Sequence, residues 1–171
     1  MITIRPEQPE DIGAVRAINE AAFGDTAEAS IVDTLRSACP DAVSLVAVED
    51  DTVLGHIFFT PVRVSGGSGA VQGMGLAPMA VLPERQRQGI GSLLVQAGID
   101  AMRERACQFV IVVGHAEYYP RFGFVPASRH GLSCQWDGVP DEAFMVLVLA
   151  PTAVTGVSGV ARYRDEFDRA M

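Results

Sequence analysis

From Val71 to Leu82 the chain reads VQGMGLAPMAVL, an apolar run of strand character with a proline inside it. That residue, Pro78, constrains the fold more than any other. A proline gives no hydrogen bond to a ladder, so a strand that holds one lies at an edge, carries a bulge, or parts from its neighbour there. Residues 84–92, ERQRQGIGS, follow directly, and then an amphipathic helix begins. Ile90, Leu93, Leu94, Ala97 and Ala101 recur on one helical face, which the spacing carries to about Ala106.

The segment ERQRQGIGS has two readings. The first backbone N–H groups of a helix have no partner within it and point where an anion can sit. Gly89 and Gly91 remove side chains from that approach, while Arg85 and Arg87 add positive charge at its rim. The plainer reading is a glycine turn beside a solvated arginine face. Two nucleotide motifs fail here: no Lys-Ser/Thr follows the glycines, and Leu94 stands where the third glycine of a dinucleotide fingerprint belongs.

The remainder of the chain sets this segment in one domain. Its 171 residues suffice for a single well-buried core. A short strand from Ile2 to Arg5 ends at Pro6, and Pro9, Glu10 and Asp11 suit the first turn of a helix. That helix turns Ile12, Val15, Ile18 and Ala22 inward and stops at Gly24. Asp25 and Glu28 have the spacing of a capping box for a second helix, which buries Ile31, Val32 and Leu35 and ends by Pro40.

Two strand-like runs, VSLVAVED and TVLGHIFFTPVRV, predict a hairpin around Glu49 to Thr52, and SGGSG from Ser65 to Gly69 predicts a flexible connection. QFVIVVG is the apolar strand of a sheet centre. AEYYPRFG makes a short helix or turn, FVPAS begins a strand, and AFMVLVLA is the last clear strand. The order predicts an α/β (α+β) fold, a mixed and mostly antiparallel sheet with helices on both faces. Residues 1–150 form the domain; the extension 151–171 is expected to pack on it, as a strand and turn or as a looser arm.

Lys and Arg number 13 against 21 Asp and Glu, a net charge of −8. This balance disfavours nucleic acid and anionic membranes as partners and mildly favours a small cationic one. Cys39, Cys107 and Cys134 show neither CxxC pairing nor metal-ligand spacing. They suit reduced thiols, and the N-terminus lacks a signal-peptide pattern, so a cytoplasmic location is expected.

The stretch GLAPMAVLPERQRQGIGSLLVQAGIDAMRE resembles the signature strand, pyrophosphate loop and helix of the GNAT superfamily of acyl-CoA-dependent N-acyltransferases. Gln86, Arg87, Gln88, Gly89, Ile90 and Gly91 meet its pattern Q/R-x-x-G-x-G/A. Tyr118, Tyr119, Pro120, Arg121, Phe122, Gly123 and Phe124 resemble its second element, an aromatic pair followed by hydrophobic-Gly-Phe.

The resemblance implies a GNAT-like sheet splayed at its centre, with acetyl-CoA as cosubstrate. It implies backbone contacts to thioester and pantetheine from Met79, Ala80 and Val81, and a pyrophosphate cradle from Gln86, Arg87, Gln88, Gly89, Ile90, Gly91 and Ser92. It puts Tyr119 where a proton can be donated to the departing thiolate, although an aromatic pair on a short helix can equally be packing. The family's more frequent asparagine after the central strand is absent.

An amine acceptor must also lose a proton. Glu28, His56, His115 and Glu117 are the candidates, and His115 ranks first because it directly follows the central strand. No cysteine lies in either motif, so direct attack by the amine is expected without an acetyl-cysteine intermediate. The acceptor expected is a small amine or amino acid, with protein N-termini and lysines as alternatives. A catalytically silent acyl-CoA-binding module is the competing class. Oligomeric state leaves no trace in the sequence.

Overall fold

The computed structural model describes residues 1–65, 73–154 and 157–170. The flexible connection expected after Ser65 lies outside the described residues. The strands are β1 (Thr3–Pro6), β2 (Val43–Glu49), β3 (Thr52–Ser65), β4 (Gly73–Val81), β5 (Phe109–Val113), β6 (Val125–Pro126), β7 (Leu132–Cys134), β8 (Phe144–Val148) and β9 (Gly159–Arg162). The longer helices are α1 (Ile12–Phe23), α2 (Ala27–Ala38) and α3 (Ile90–Glu104).

Local chemistry places most of the boundaries. A single 3-10 turn over Pro9–Asp11 leads into α1, and the Gln8 N–H donates to Asp11 Oδ2 at 2.7 Å. Gly24, with φ of 80°, closes the helix and donates its N–H to Glu20 O. The β2–β3 hairpin turns through Asp50 and Asp51, both with positive φ (49° and 62°), the conformation that matches the twist of its strands.

Three local expectations fail. Thr26, not Asp25, precedes α2, and the Asp25 carboxylate accepts the N–H of Ala27 instead of closing a capping box. Glu28 is thereby left to turn elsewhere. Ile12, at the start of α1, and Leu93 are exposed; the stripe that α3 buries runs through Ile90, Leu94, Val95, Ile99 and Met102, rotated away from Leu93. The strand expected from FVPAS pairs only at Val125 and Pro126 before a 3-10 turn.

The main sheet runs β1-β2-β3-β4-β5-β8-β6, antiparallel throughout except between β4 and β5. One core fills the α3 face, with Ile57, Phe59, Leu94 and Val112; the other fills the α1–α2 face, with Val15, Leu35, Phe58 and Phe144. The mixed sheet with helices on both faces is thus as expected. No helix of the described residues is long and apolar enough to cross a membrane.

The sheet parts in the middle. β4 and β5 pair from Gly73↔Phe109 to Leu76↔Val112 and no further, although β4 continues to Val81 in register with β3. Between the pairs Ile57↔Met79 and Phe59↔Leu76, two residues, Ala77 and Pro78, face Phe58 alone. This two-against-one bulge bends β4 away from β5, and Pro78 brings no N–H to the opening.

The C-terminal segment reaches back to this point. β9 pairs with β3 and β7, and Tyr163 directly after it is buried. Its hydroxyl lies 3.1 Å from Leu76 O and 3.3 Å from Ile111 O, one carbonyl on each parting strand. Burial pushes this hydroxyl above the ordinary tyrosine range, so it stays protonated and donates.

The ring rests on Gly75, where an ideal Cβ would come within 2.4 Å of it. Gly75→Ala should therefore displace the ring and destabilise the protein by about 1–3 kcal/mol in a urea titration. An unchanged midpoint would show that the contact gives way freely.

Candidate active site

Where β4 and β5 diverge, a cleft of about 510 Å³ opens. Its two long walls are the strand ends, Leu76 to Val81 on one side and Val112 to His115 on the other. Met79 and Tyr119 belong to the packing on the α3 face, whereas Trp136, Tyr163 and Phe167 belong to the α1–α2 face. The cleft therefore passes through the sheet. Gln86 lines it beside the glycine loop, and Phe23 and Glu28 line it on the opposite face.

The loop itself is built by its backbone. Gly89 precedes α3 with φ of 87°, and an ideal Cβ there would meet nothing within 4 Å. Its glycine takes up this left-handed geometry, and the space beside it is open. Gly91 does keep space open: a Cβ would sit 3.1 Å from Tyr118 Oη. No side chain caps α3, so the N–H groups of its first turn are free for an anion.

The polar side chains of the loop differ in what they hold. Gln86 Nε2 donates to Val81 O at 3.0 Å, tying the loop to the end of β4. Arg85 pairs with Glu49 at 3.2 Å and donates to Gln88 Oε1, so it is engaged with the β2–β3 turn. Arg87 has φ of 63°, is exposed, and forms no ion pair with any described residue. Ser92 Oγ lies 3.1 Å from Tyr118 Oη, linking the start of α3 to the aromatic pair. Ile90 is buried in the core, leaving only its backbone for ligand contact.

Tyr119 begins a 3-10 turn, Tyr119–Phe122, with its ring against Gly114, where a Cβ would come within 2.4 Å. Edge contacts with Tyr118 and Phe124, at 5.1 and 5.6 Å between centroids, fix the ring further. Its hydroxyl makes no hydrogen bond with any described residue. Burial, and to a lesser extent Tyr118, pushes its pKa above the ordinary range, so it is a protonated group on the cleft wall.

The four base candidates separate cleanly. Glu117 is exposed and does not line the cleft. His115 lines it and is exposed, with its carbonyl accepting the N–H groups of Tyr118 and Tyr119. Glu28 also lines it, its Oε2 is buried with no hydrogen-bond partner, and burial raises its carboxyl above the ordinary value. His56 lies elsewhere, fully buried on β3 rather than at the surface of its strand.

Asn19 Nδ2 donates to His56 Nδ1 at 3.2 Å, and His56 Nε2 lies 2.8 Å from Ser44 Oγ. Protonation would set two donors face to face at Nδ1 in a fully buried site, and burial, with Arg36 nearby, lowers the pKa to about 3.

Met79, Ala80, Val81, Gln86, His115 and Tyr119 thus all line the cleft, with Arg87 to Ser92 forming the adjoining loop. Sequence reasoning did not find Phe23, Trp136, Tyr163 or Phe167 as site residues. Isolated aromatics in a segment without periodicity carry little signal; the spacing of Tyr163 and Phe167, one helical turn apart, was the only trace.

The buried histidine gives a pH dependence of stability. Below about pH 6.5 the unfolded chain takes up a proton that folded His56 refuses, so the contribution is intact at pH 7 and is lost as pH falls toward 3. Between pH 7 and 5 this amounts to about 2 kcal/mol. Urea titrations should find that loss in the wild type and a shallower one in His56→Gln. Equal slopes would contradict a neutral buried imidazole.

Comparison with known proteins bears on the same residues. A family model described as acetyltransferase (GNAT) domain matches residues 3–127. The uncharacterized N-acetyltransferase YhbS of Escherichia coli K12 is 37% identical over 167 residues, covering 97% of this chain and 98% of the relative. The crystal structure of Escherichia coli YhbS in complex with CoA superposes with a TM-score of 0.89 at 36% identity, covering 98% of this chain and 92% of that one. A GNAT family acetyltransferase from Brucella melitensis, in complex with acetyl-CoA, gives a TM-score of 0.79 at 34% identity over 98% and 99% of the two chains.

Proposed function

We propose that this chain, which belongs to the GNAT acetyltransferase family, moves the acetyl group of acetyl-CoA directly onto a small primary amine. The observation that carries this reading is the cleft through the parted sheet, opening beside an uncapped helix N-terminus. CoA and acetyl-CoA in the two relatives support the cosubstrate.

The chain's own groups fit that cosubstrate. The diphosphate takes the N–H groups of Gly89 to Ser92, with Gln86 and Gln88 shaping the loop and Arg87 adding charge. Because β5 leaves β4 after Leu76, the backbone of Met79, Ala80 and Val81 is open on that side for the pantetheine amides, as an added strand would be. An N–H near Met79 polarises the thioester carbonyl, where negative charge grows during attack.

With the cofactor on the α3 face, the amine enters from the α1–α2 face. Its ammonium gives one proton to the Glu28 carboxylate, and His115, exposed at the rim, exchanges protons with solvent. The neutral nitrogen forms a bond to the carbonyl carbon, the C–S bond breaks, and the thiolate takes the Tyr119 proton. Tyr119 recovers it from the new amide nitrogen, so one proton is released overall.

Tyr119→Phe should lower turnover more than about tenfold, at least 1.4 kcal/mol, while leaving acetyl-CoA affinity nearly unchanged by calorimetry. Unchanged turnover removes the proton-donor role. Arg87→Ala should weaken CoA binding and flatten its salt dependence more than Arg85→Ala, because Arg85 is engaged with Glu49. The opposite order would refute this assignment of charges. Acetyl-CoA binding without thiol release on any amine would identify a silent binding module instead.

A further inference from the structure

We infer that the acceptor end of the cleft selects a monoamine with an aromatic body, its ammonium held by Glu28 and its ring by the wall that Trp136 presents. This rests on the reading that the α1–α2 face admits the acceptor. Glu28 is the single carboxylate among the described lining residues, and its Oε2 is buried with no hydrogen-bond partner among the described residues. A buried acceptor on the cleft wall that no described protein group satisfies is the place for a donor from the ligand, and a charged donor satisfies it best. Burial raises the pKa of the same carboxyl, which a bound ammonium would reverse.

The rest of the wall is apolar and stiff. Trp136 Nε1 donates to Asp168 Oδ1 at 2.8 Å, and its ring stacks on Tyr163 with centroids 5.4 Å apart and planes at 27°. Phe167 meets Tyr163 edge-on at 5.3 Å. Aromatic surface held in place before the ligand arrives costs little to order on binding. Phe23 stands at the end of α1 with 41% of its surface exposed, an aromatic on the cleft wall that the core does not claim.

Charge counting disfavours amino acids and diamines. No Lys or Arg is among the described lining residues, so the carboxylate of an amino acid would enter without a partner there. The second ammonium of a diamine would find no second carboxylate among the described lining residues, since Asp25 beside Glu28 and Asp168 beside Trp136 lie outside that lining. An arylalkylamine leaves no charge unmatched.

The test uses full-length protein with five acceptors: 2-phenylethylamine, butylamine, putrescine, phenylalanine and a lysine-containing peptide. Thiol release from acetyl-CoA gives kcat/KM, and calorimetry on the CoA-loaded protein gives binding without chemistry. 2-Phenylethylamine should exceed each of the others by at least about tenfold in kcat/KM. Trp136→Ala should abolish its advantage over butylamine, and Trp136→Phe should keep it. A ratio between two substrates is insensitive to partial unfolding of a variant. Glu28→Gln should weaken 2-phenylethylamine binding to the CoA-loaded protein at least about tenfold.

Faster acetylation of putrescine, phenylalanine or the peptide overturns the inference and leaves amine acetylation standing. A preference that survives Trp136→Ala also overturns it. Trp136-dependent binding of 2-phenylethylamine without acetylation supports the pocket and refutes the transfer chemistry. Absence of both binding and transfer refutes both.

Discussion

At the point where β4 and β5 separate, the hydroxyl of Tyr163 is shared between Leu76 O and Ile111 O. Two strands that stop pairing inside a sheet leave carbonyls with no ladder partner, and a buried carbonyl without a partner is costly. The tail supplies the missing donor from 87 residues along the chain from Leu76. Gly75 provides the room for its ring, and the bulge at Ala77–Pro78 provides the change of direction. The cleft, the exposed strand backbone and the aromatic wall all depend on this arrangement.

The same arrangement divides labour between the two faces. The α3 side offers backbone N–H groups and a glycine held at φ of 87°, features suited to a phosphate-bearing cofactor shared across a family. The α1–α2 side offers side chains: one half-buried carboxylate and several aromatics from segments far apart in sequence. On the proposed reading, cofactor binding thus rests on main-chain geometry and the choice of acceptor on these side chains.

That division explains what could be read in the sequence. Pro78, Gly89 and Gly91 announce themselves because backbone geometry restricts which residues are tolerated, and a strand, turn and helix in direct succession fix their spacing. QFVIVVG was readable as a central strand because burial on both faces demands continuous apolar residues. Glu28 was misread as a helix cap, since D-x-x-E spacing describes local geometry and cannot register a cleft built from distant strands. His56 stood among the base candidates because its polar partners, Asn19 and Ser44, come from two other elements and leave no mark beside it in the sequence. Trp136 gave no signal and Tyr163 only its spacing from Phe167, as a single aromatic wedge has no period.

The central claim is that acetyl-CoA lies in the parted sheet, against the free backbone of β4 and the first turn of α3. Main-chain hydrogen exchange, resolved by residue with and without CoA, tests it most directly. The account predicts slowed exchange concentrated at residues 79–81 and 89–92 on CoA binding. Binding that leaves those amides unchanged, or that protects a different surface, would contradict it.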